Sequence, residues 1–268
     1  MRRVWGTVSL LLLFLIVSLT LPATPIVRGQ TLAPTGMDNY GWCTGWRAGH
    51  VVAVNSSVLC FAGVYDLSVD PTAPTGVVTF SACCDPSGAP FSSSSFAPSN
   101  TCTIMSGIYG GLFGYAYCFS VNYTPASGTE GPQTITASYA GDSTHSESSA
   151  TVSFQVTKRG SLTSVSCSPN GIGHTTKCEA SVIDFLNESY YCCNNFQITP
   201  TGTVAWSNGG PLILKPTRCT LSDTNVTGTA TCIATYRGSL NPSYQQITTA
   251  YIGDTDHFGS SGNTIAFG

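Results

Sequence analysis

Apolar and polar residues alternate in short stretches over most of the chain. Val77-Val-Thr-Phe80 and Ile135-Thr-Ala-Ser-Tyr139 are β-branched and aromatic, and Gly, Pro, Ser and Asp separate such stretches from one another. Alternation of this kind predicts strands with one packed face and one wet face, as in antiparallel sheets. Beyond the N-terminal stretch no helical periodicity runs longer than two turns.

The pattern occurs twice. Gln133-Thr-Ile-Thr-Ala-Ser-Tyr139-Ala-Gly-Asp142-Ser-Thr-His145 returns as Gln245-Gln-Ile-Thr-Thr-Ala-Tyr251-Ile-Gly-Asp254-Thr-Asp-His257, position for position and without gaps. Upstream, Pro74-Thr-Gly-Val-Val-Thr-Phe80 is answered by Pro200-Thr-Gly-Thr-Val-Ala-Trp206, and Cys60-Phe-Ala-Gly-Val64 by Cys178-Glu-Ala-Ser-Val182. Cys102-Thr-Ile104 matches Cys219-Thr-Leu221, and Cys118 with Tyr123 matches Cys232 with Tyr236. The order is constant, so one unit has been duplicated. About seven short strands in some 110 residues predict, for each copy, a β-sandwich of the immunoglobulin type. The boundaries expected are 30–157 and 158–268.

The N-terminal stretch breaks the pattern. Arg2 and Arg3 precede Val8–Leu21, an apolar run interrupted only by Ser and Thr. This is the layout of a secretory signal over residues 1–29, cleaved after Gly29 with Val27 at the −3 position. Counted from Val4, the run reaches the lower edge of a membrane span, so an uncleaved N-terminal anchor is the alternative.

Composition supports export. Charged residues make up 9% of the chain and hydrophobic ones 42%, while 33 Ser and 35 Thr supply the polar surface. That is too apolar for a disordered chain. The net charge is −3 and the longest basic run outside the N-terminus is Lys158-Arg159, which gives no electrostatic basis for nucleic-acid binding. Twelve cysteines without a Cys-x-x-Cys argue for disulfides in an oxidising compartment rather than zinc.

The series Cys-x-Ala-x-Val, Pro-Thr-Gly-x-Val-x-Phe/Trp, Cys-Thr-Ile/Leu and Ile-Thr-x-x-Tyr-x-Gly-Asp resembles the bacterial and archaeal Ig-like repeats of large surface proteins. The resemblance covers nearly all of both copies. It implies two tandem sandwiches used as spacers or adhesive modules, and it brings no catalytic residues. The paired cysteines and the Ser-rich insertion Ser92–Ser99 depart from the family pattern.

Each copy holds six cysteines. Local bridges Cys43–Cys60, Cys102–Cys118, Cys167–Cys178 and Cys219–Cys232 are expected, each closing a short loop worth about 3 kcal/mol in the chain-entropy model. A bridge from the second strand to the fifth, such as Cys178–Cys232, is the rival, since connectivity is underdetermined by sequence. Cys83-Cys84 follows the third strand of the first copy, whereas Cys192-Cys193 precedes the third strand of the second. Strand order places both pairs toward the junction, which predicts interdomain bridges there, against vicinal or within-copy pairing.

Asn55, Asn122, Asn187 and Asn225 begin Asn-x-Ser/Thr sequons and are candidate glycosylation sites. Tyr40, Trp42 and Trp46 form an aromatic cluster that could stack on sugar rings or could simply pack on the first strand. Asp142 with His145, and Asp254 with Asp256 and His257, read as polar turns rather than a metal site, because calcium loops need more oxygen ligands. No Gly-x-Ser-x-Gly or His-Glu-x-x-His occurs and only four His are present, so no enzyme activity, metal or cofactor is expected. The reading is a secreted or cell-surface structural or adhesive module whose partner is a protein or glycan. It would meet the membrane only through an uncleaved N-terminus. The alternatives are a carbohydrate-binding module using Tyr40, Trp42 and Trp46, and a subunit of an extracellular filament.

Overall fold

The computed structural model describes residues 31–38, 51–83, 95–106, 114–168, 174–185, 197–210, 214–237 and 244–267. All regular structure among them is β, as the alternation predicts. Within the compact unit Leu32–Gly268, four sheets form two facing pairs around two apolar cores.

In the first pair, one sheet runs β1 (Thr35–Met37), β3 (Val58–Asp66), β8 (Tyr115–Thr124) and β5 (Ser95–Ala97), with β7 (Met105–Ser106) also on β8. The other runs β2 (Val51–Ala53), β10 (Ser148–Thr157), β9 (Gly131–Tyr139), β4 (Val77–Cys83) and β6 (Thr101–Thr103). In the second pair, β11 (Gly160–Cys167), β12 (Thr175–Phe185), β16 (Thr229–Arg237) and β15 (Ser222–Asp223) face β14 (Arg218–Thr220), β13 (Thr203–Asn208), β17 (Tyr244–Tyr251) and β18 (Ser260–Phe267). Labelled by chain order, the second pair is A-B-E-D against C′-C-F-G, which is the immunoglobulin arrangement. The protein is therefore an all-β, disulfide-bonded chain of Ig-like sandwiches.

Every second residue of the central strands enters a core. Val64, Val78, Phe80, Tyr123, Ile135 and Phe154 fill the first; Val182, Val204, Trp206, Ala234 and Ile247 fill the second. Burial of each large side chain contributes about 1.5–3 kcal/mol. Phe80 and Trp206 hold equivalent places on the third strand, and the Trp206 indole nitrogen lies 2.9 Å from Cys219 Sγ. One irregularity in the repeat has a structural cause. Cys118 to Tyr123 spans one residue more than Cys232 to Tyr236 because β8 carries a bulge opposite Cys60/Phe61. The extra residue is absorbed there and Tyr123 still points inward.

Three disulfides are present among the described residues. Cys167 and Cys178 face each other across β11 and β12, with 4.0 Å between their Cα atoms. Cys102–Cys118 and Cys219–Cys232, each with 5.8 Å between Cα atoms, do not close a hairpin within one sheet. They cross the core and tie β6 to β8 and β14 to β16. The rival pairing Cys178–Cys232 does not occur. Cys60 and Cys83 are also disulfide-bonded. Cys43, Cys84, Cys192 and Cys193 lie outside the described residues, and with them the interdomain-bridge expectation.

Candidate functional site

The two most specific sequence motifs meet in space, once in each sandwich. In the first, the Asp142 carboxylate accepts hydrogen bonds from Thr75 N (2.9 Å) and Thr75 Oγ1 (2.8 Å) of the Pro-Thr-Gly motif. Its other oxygen accepts from Thr144 N and His145 N, both at 2.8 Å. In the second, Asp254 accepts from Thr201 N (2.7 Å) and Thr201 Oγ1 (3.0 Å), and from Asp256 N (2.8 Å) and His257 N (2.7 Å). Gly141 and Gly253 make these turns possible. Their φ angles are +86° and +95°, and a Cβ would come within 2.7 Å of the His145 or His257 carbonyl oxygen. Tyr139 closes the first latch by donating its hydroxyl to the Thr75 carbonyl at 2.9 Å. Burial, with the Asp142 carboxylate adding to it, pushes that phenol up to about 12.

Each latch holds a histidine that is 1% exposed. His145 Nδ1 lies 2.9 Å from Asp142, and its Nε2 faces Asp66 at 3.5 Å. His257 Nδ1 lies 2.9 Å from Asp254, and its Nε2 faces Asp184 at 3.4 Å. The inner carboxylates also cap backbone. Asp66 accepts from the amides of Ser68 (2.8 Å) and Thr72 (2.7 Å), and Asp184 from that of Ile198 (2.9 Å). Burial alone would raise the pKa of all four carboxyls. The amide, hydroxyl, imidazole and guanidinium donors that surround them outweigh it and hold each below the ordinary carboxylate range. For His257 burial acts downward, but the two flanking carboxylates win and raise its pKa.

The latches also differ in the residue that pairs with the turn from outside, and that difference makes the junction. Ala33 N bonds Thr144 O, and Ser146 N bonds Ala33 O. In the second sandwich Arg159 makes both equivalent bonds, to Asp256 O and from Phe258 N. Arg159 is fully buried. Its Nε and Nη2 donate to Asp184 at 3.0 and 2.6 Å. Its Nη1 reaches the first sandwich, donating to Val54 O at 3.3 Å and Ser56 Oγ at 3.1 Å. Those acceptors are in place because β2 pairs in parallel with β10, which sets Val54 N on Thr157 O at 2.9 Å. The neighbouring Lys158 Nζ donates to the Asp254 carbonyl. Thus the two residues between β10 and β11 both enter the second latch.

Chemically, the second latch can hold a proton on His257 between two carboxylates, out of contact with solvent. Among the described residues no group of three or more His, Cys, Asp or Glu is placed to hold a metal ion, since the carboxylate oxygens are engaged by N–H and O–H donors. Asp142, His145, Asp254 and His257 were legible as polar turns; Asp66, Asp184 and Arg159 were not read as site residues. Extending Cys-x-Ala-x-Val by two residues gives Asp66 and Asp184 in both copies, which is the signal that finds them.

A second feature distinguishes the copies. The outward rows of β3 and β8 carry Phe61, Tyr65, Tyr115, Tyr117 and Phe119, all half-buried. Their ring planes lie within 19–25° of parallel and their centroids 5.2–6.0 Å apart. Gly63 leaves room for this, since a Cβ there would come 3.1 Å from the Tyr117 ring. The corresponding positions of the second copy are Glu179, Ile183, Thr229, Thr231 and Ile233, so the fold does not demand aromatics here.

Of the sequon residues, Asn225 is exposed in the turn before β16, whereas Asn55 donates to Ser127 Oγ at 2.9 Å. Asn122 lies within β8 with its Oδ1 buried. Asn187, Tyr40, Trp42 and Trp46 lie outside the described residues, as does the expected signal segment.

No family model matches the chain, and no curated protein matches it. Among solved structures it is similar to the D0-D1 domain of intimin, at 10% identity over 87% of this chain and 96% of that chain, with a TM-score of 0.26.

Proposed function

We propose that this is a non-catalytic extracellular module of the surface-protein Ig-like repeat kind, structural or adhesive, whose two sandwiches act as one rigid piece. The observation that carries this reading is Arg159, a fully buried arginine from the two-residue linker that engages both sandwiches. A charge with this many partners fixes geometry rather than adding bulk stability. The disulfides fit an oxidising location. Fractionation of native cells tests the reading. The oxidised protein is expected outside the cell or on its surface; a cytosolic protein with reduced thiols would overturn it.

The aromatic rows of β3 and β8 favour a second reading, contact with glycan through stacked rings. Tyr65→Ile with Tyr115→Thr installs the residues of the second copy. Loss of glycan-array binding in that variant supports the reading; no binding by the parent protein to any polysaccharide refutes it.

A further inference from the structure

We propose that the junction is a proton-dependent lock, closed while His257 is an imidazolium and released when its Nε2 loses its proton. The proposal rests on the reading of the two sandwiches as one rigid piece.

It follows from comparing the two latches. His145 Nε2 lies 3.1 Å from Thr72 Oγ1 and 3.2 Å from the Thr72 carbonyl oxygen; that hydroxyl, which also reaches Asp66 at 3.4 Å, can turn to donate to the nitrogen when it carries no proton. The residue in the place of Thr72 is Ile198: both amides cap the inner carboxylate, and both stand three residues before the Thr of Pro-Thr-Gly. Isoleucine offers no hydroxyl. His257 Nε2 faces Asp184 Oδ1 at 3.4 Å and has no hydrogen-bond partner of ordinary geometry. With a proton, that nitrogen completes a row of alternating charge: Arg159, Asp184, His257, Asp254. Without it, a nitrogen lone pair points at a buried carboxylate.

Asp184 is then the group that must move, and Asp184 is what holds Arg159 in reach of Val54 and Ser56. The groups facing the imidazole or next to it are Asp184 from β12, Asp254 and Asp256 from the turn after β17, and Arg159 and Lys158 from the linker. The acceptors sent by the first sandwich, the Val54 carbonyl and the Ser56 hydroxyl, are uncharged. The raised pKa of His257 sets the sign. Its contribution is complete below the unfolded imidazole value and is lost as pH rises through the higher folded one.

The test uses the full oxidised chain labelled with 15N. Residual dipolar couplings report whether the sandwiches share one alignment tensor, and long-range 1H–15N spectra follow the His257 ring. At about pH 6, below the unperturbed imidazole value, one shared tensor is expected. Two tensors are expected once His257 has titrated, with coincident midpoints. Ile198→Thr supplies the missing hydroxyl donor. It should lower the proton affinity of His257 roughly tenfold, the size of one hydrogen bond, and keep a single tensor across its titration. His145→Gln should leave the release unchanged. A single tensor that persists after wild-type His257 has titrated overturns the lock but leaves the rigid piece standing. Two tensors already at about pH 6 overturn both.

Discussion

Replacing Arg159 by Met removes the guanidinium and keeps much of the side-chain volume. Three donor–acceptor contacts to Asp184, at 2.6–3.2 Å, disappear together with two bonds to the first sandwich. Breaking a fully buried ion pair by deleting one partner costs about 3–5 kcal/mol, because the other charge stays buried without compensation. Here Asp184 keeps the Ile198 amide and His257, which places the loss toward the lower bound. The two cross-junction bonds add about 1 kcal/mol each, so a total near 5 kcal/mol is expected. Trp206 is the only tryptophan of the second copy and is buried in its core, so its fluorescence is a suitable probe for urea unfolding with disulfides intact. With a slope of about 2 kcal/mol per molar, its transition should move down by about 2.5 M. A loss below about 1 kcal/mol would show that Arg159 is solvated or replaceable, and would refute the assignment of the junction to it.

Acid should unfold the protein through its latches. Asp142, Asp184 and Asp254 are held below the ordinary carboxylate range, so their contribution is complete above about pH 4 and lost as pH falls below it. Melting temperatures should drop steeply there, and less steeply in Asp142→Asn; equal slopes would contradict the latch. Gly253→Ala forces a side chain onto a φ of +95° and against the His257 carbonyl, costing more than about 1 kcal/mol. Gly128→Ala, at a φ of +75° with no atom within 4 Å of the added carbon, should cost measurably less, and the reverse order would count against the geometry. In a host that glycosylates Asn-x-Ser/Thr, peptide mass spectrometry should find glycan on Asn225 and none on Asn122.

The fold was legible because alternation and duplication are local signals. The strand series survives the change of many outward residues between the copies, and the bulge in β8 only displaces Tyr123 by one position. The latches were half legible. Asp142 and Asp254 lie next to their histidines and announce a turn. Asp66 and Asp184 lie far along the chain from the same histidines, and only the folded chain brings them together. Arg159 was hidden differently. As one half of a dibasic pair it looked too small to matter for long-range electrostatics, and for that purpose it is. Its importance comes from position, since a buried guanidinium just past the end of one sandwich has acceptors on both sides. The inter-sheet course of Cys102–Cys118 and Cys219–Cys232 was likewise hidden, because a short sequence separation does not reveal that the chain changes sheets between its ends.

Those short separations have a mechanical meaning. A chain held at both ends and stretched can lengthen only by the contour that its cross-links release. The bridges Cys102–Cys118, Cys167–Cys178 and Cys219–Cys232 join cysteines 16, 11 and 13 positions apart, and at ~3.5 Å per residue they withhold about 140 Å from any extension. Cys167–Cys178 also transmits the pull. Tension arriving through the linker cannot carry β11 away from the rest, because its far end is fastened to β12. The strain passes sideways into the centre of the sheet, where the longest ladders share it.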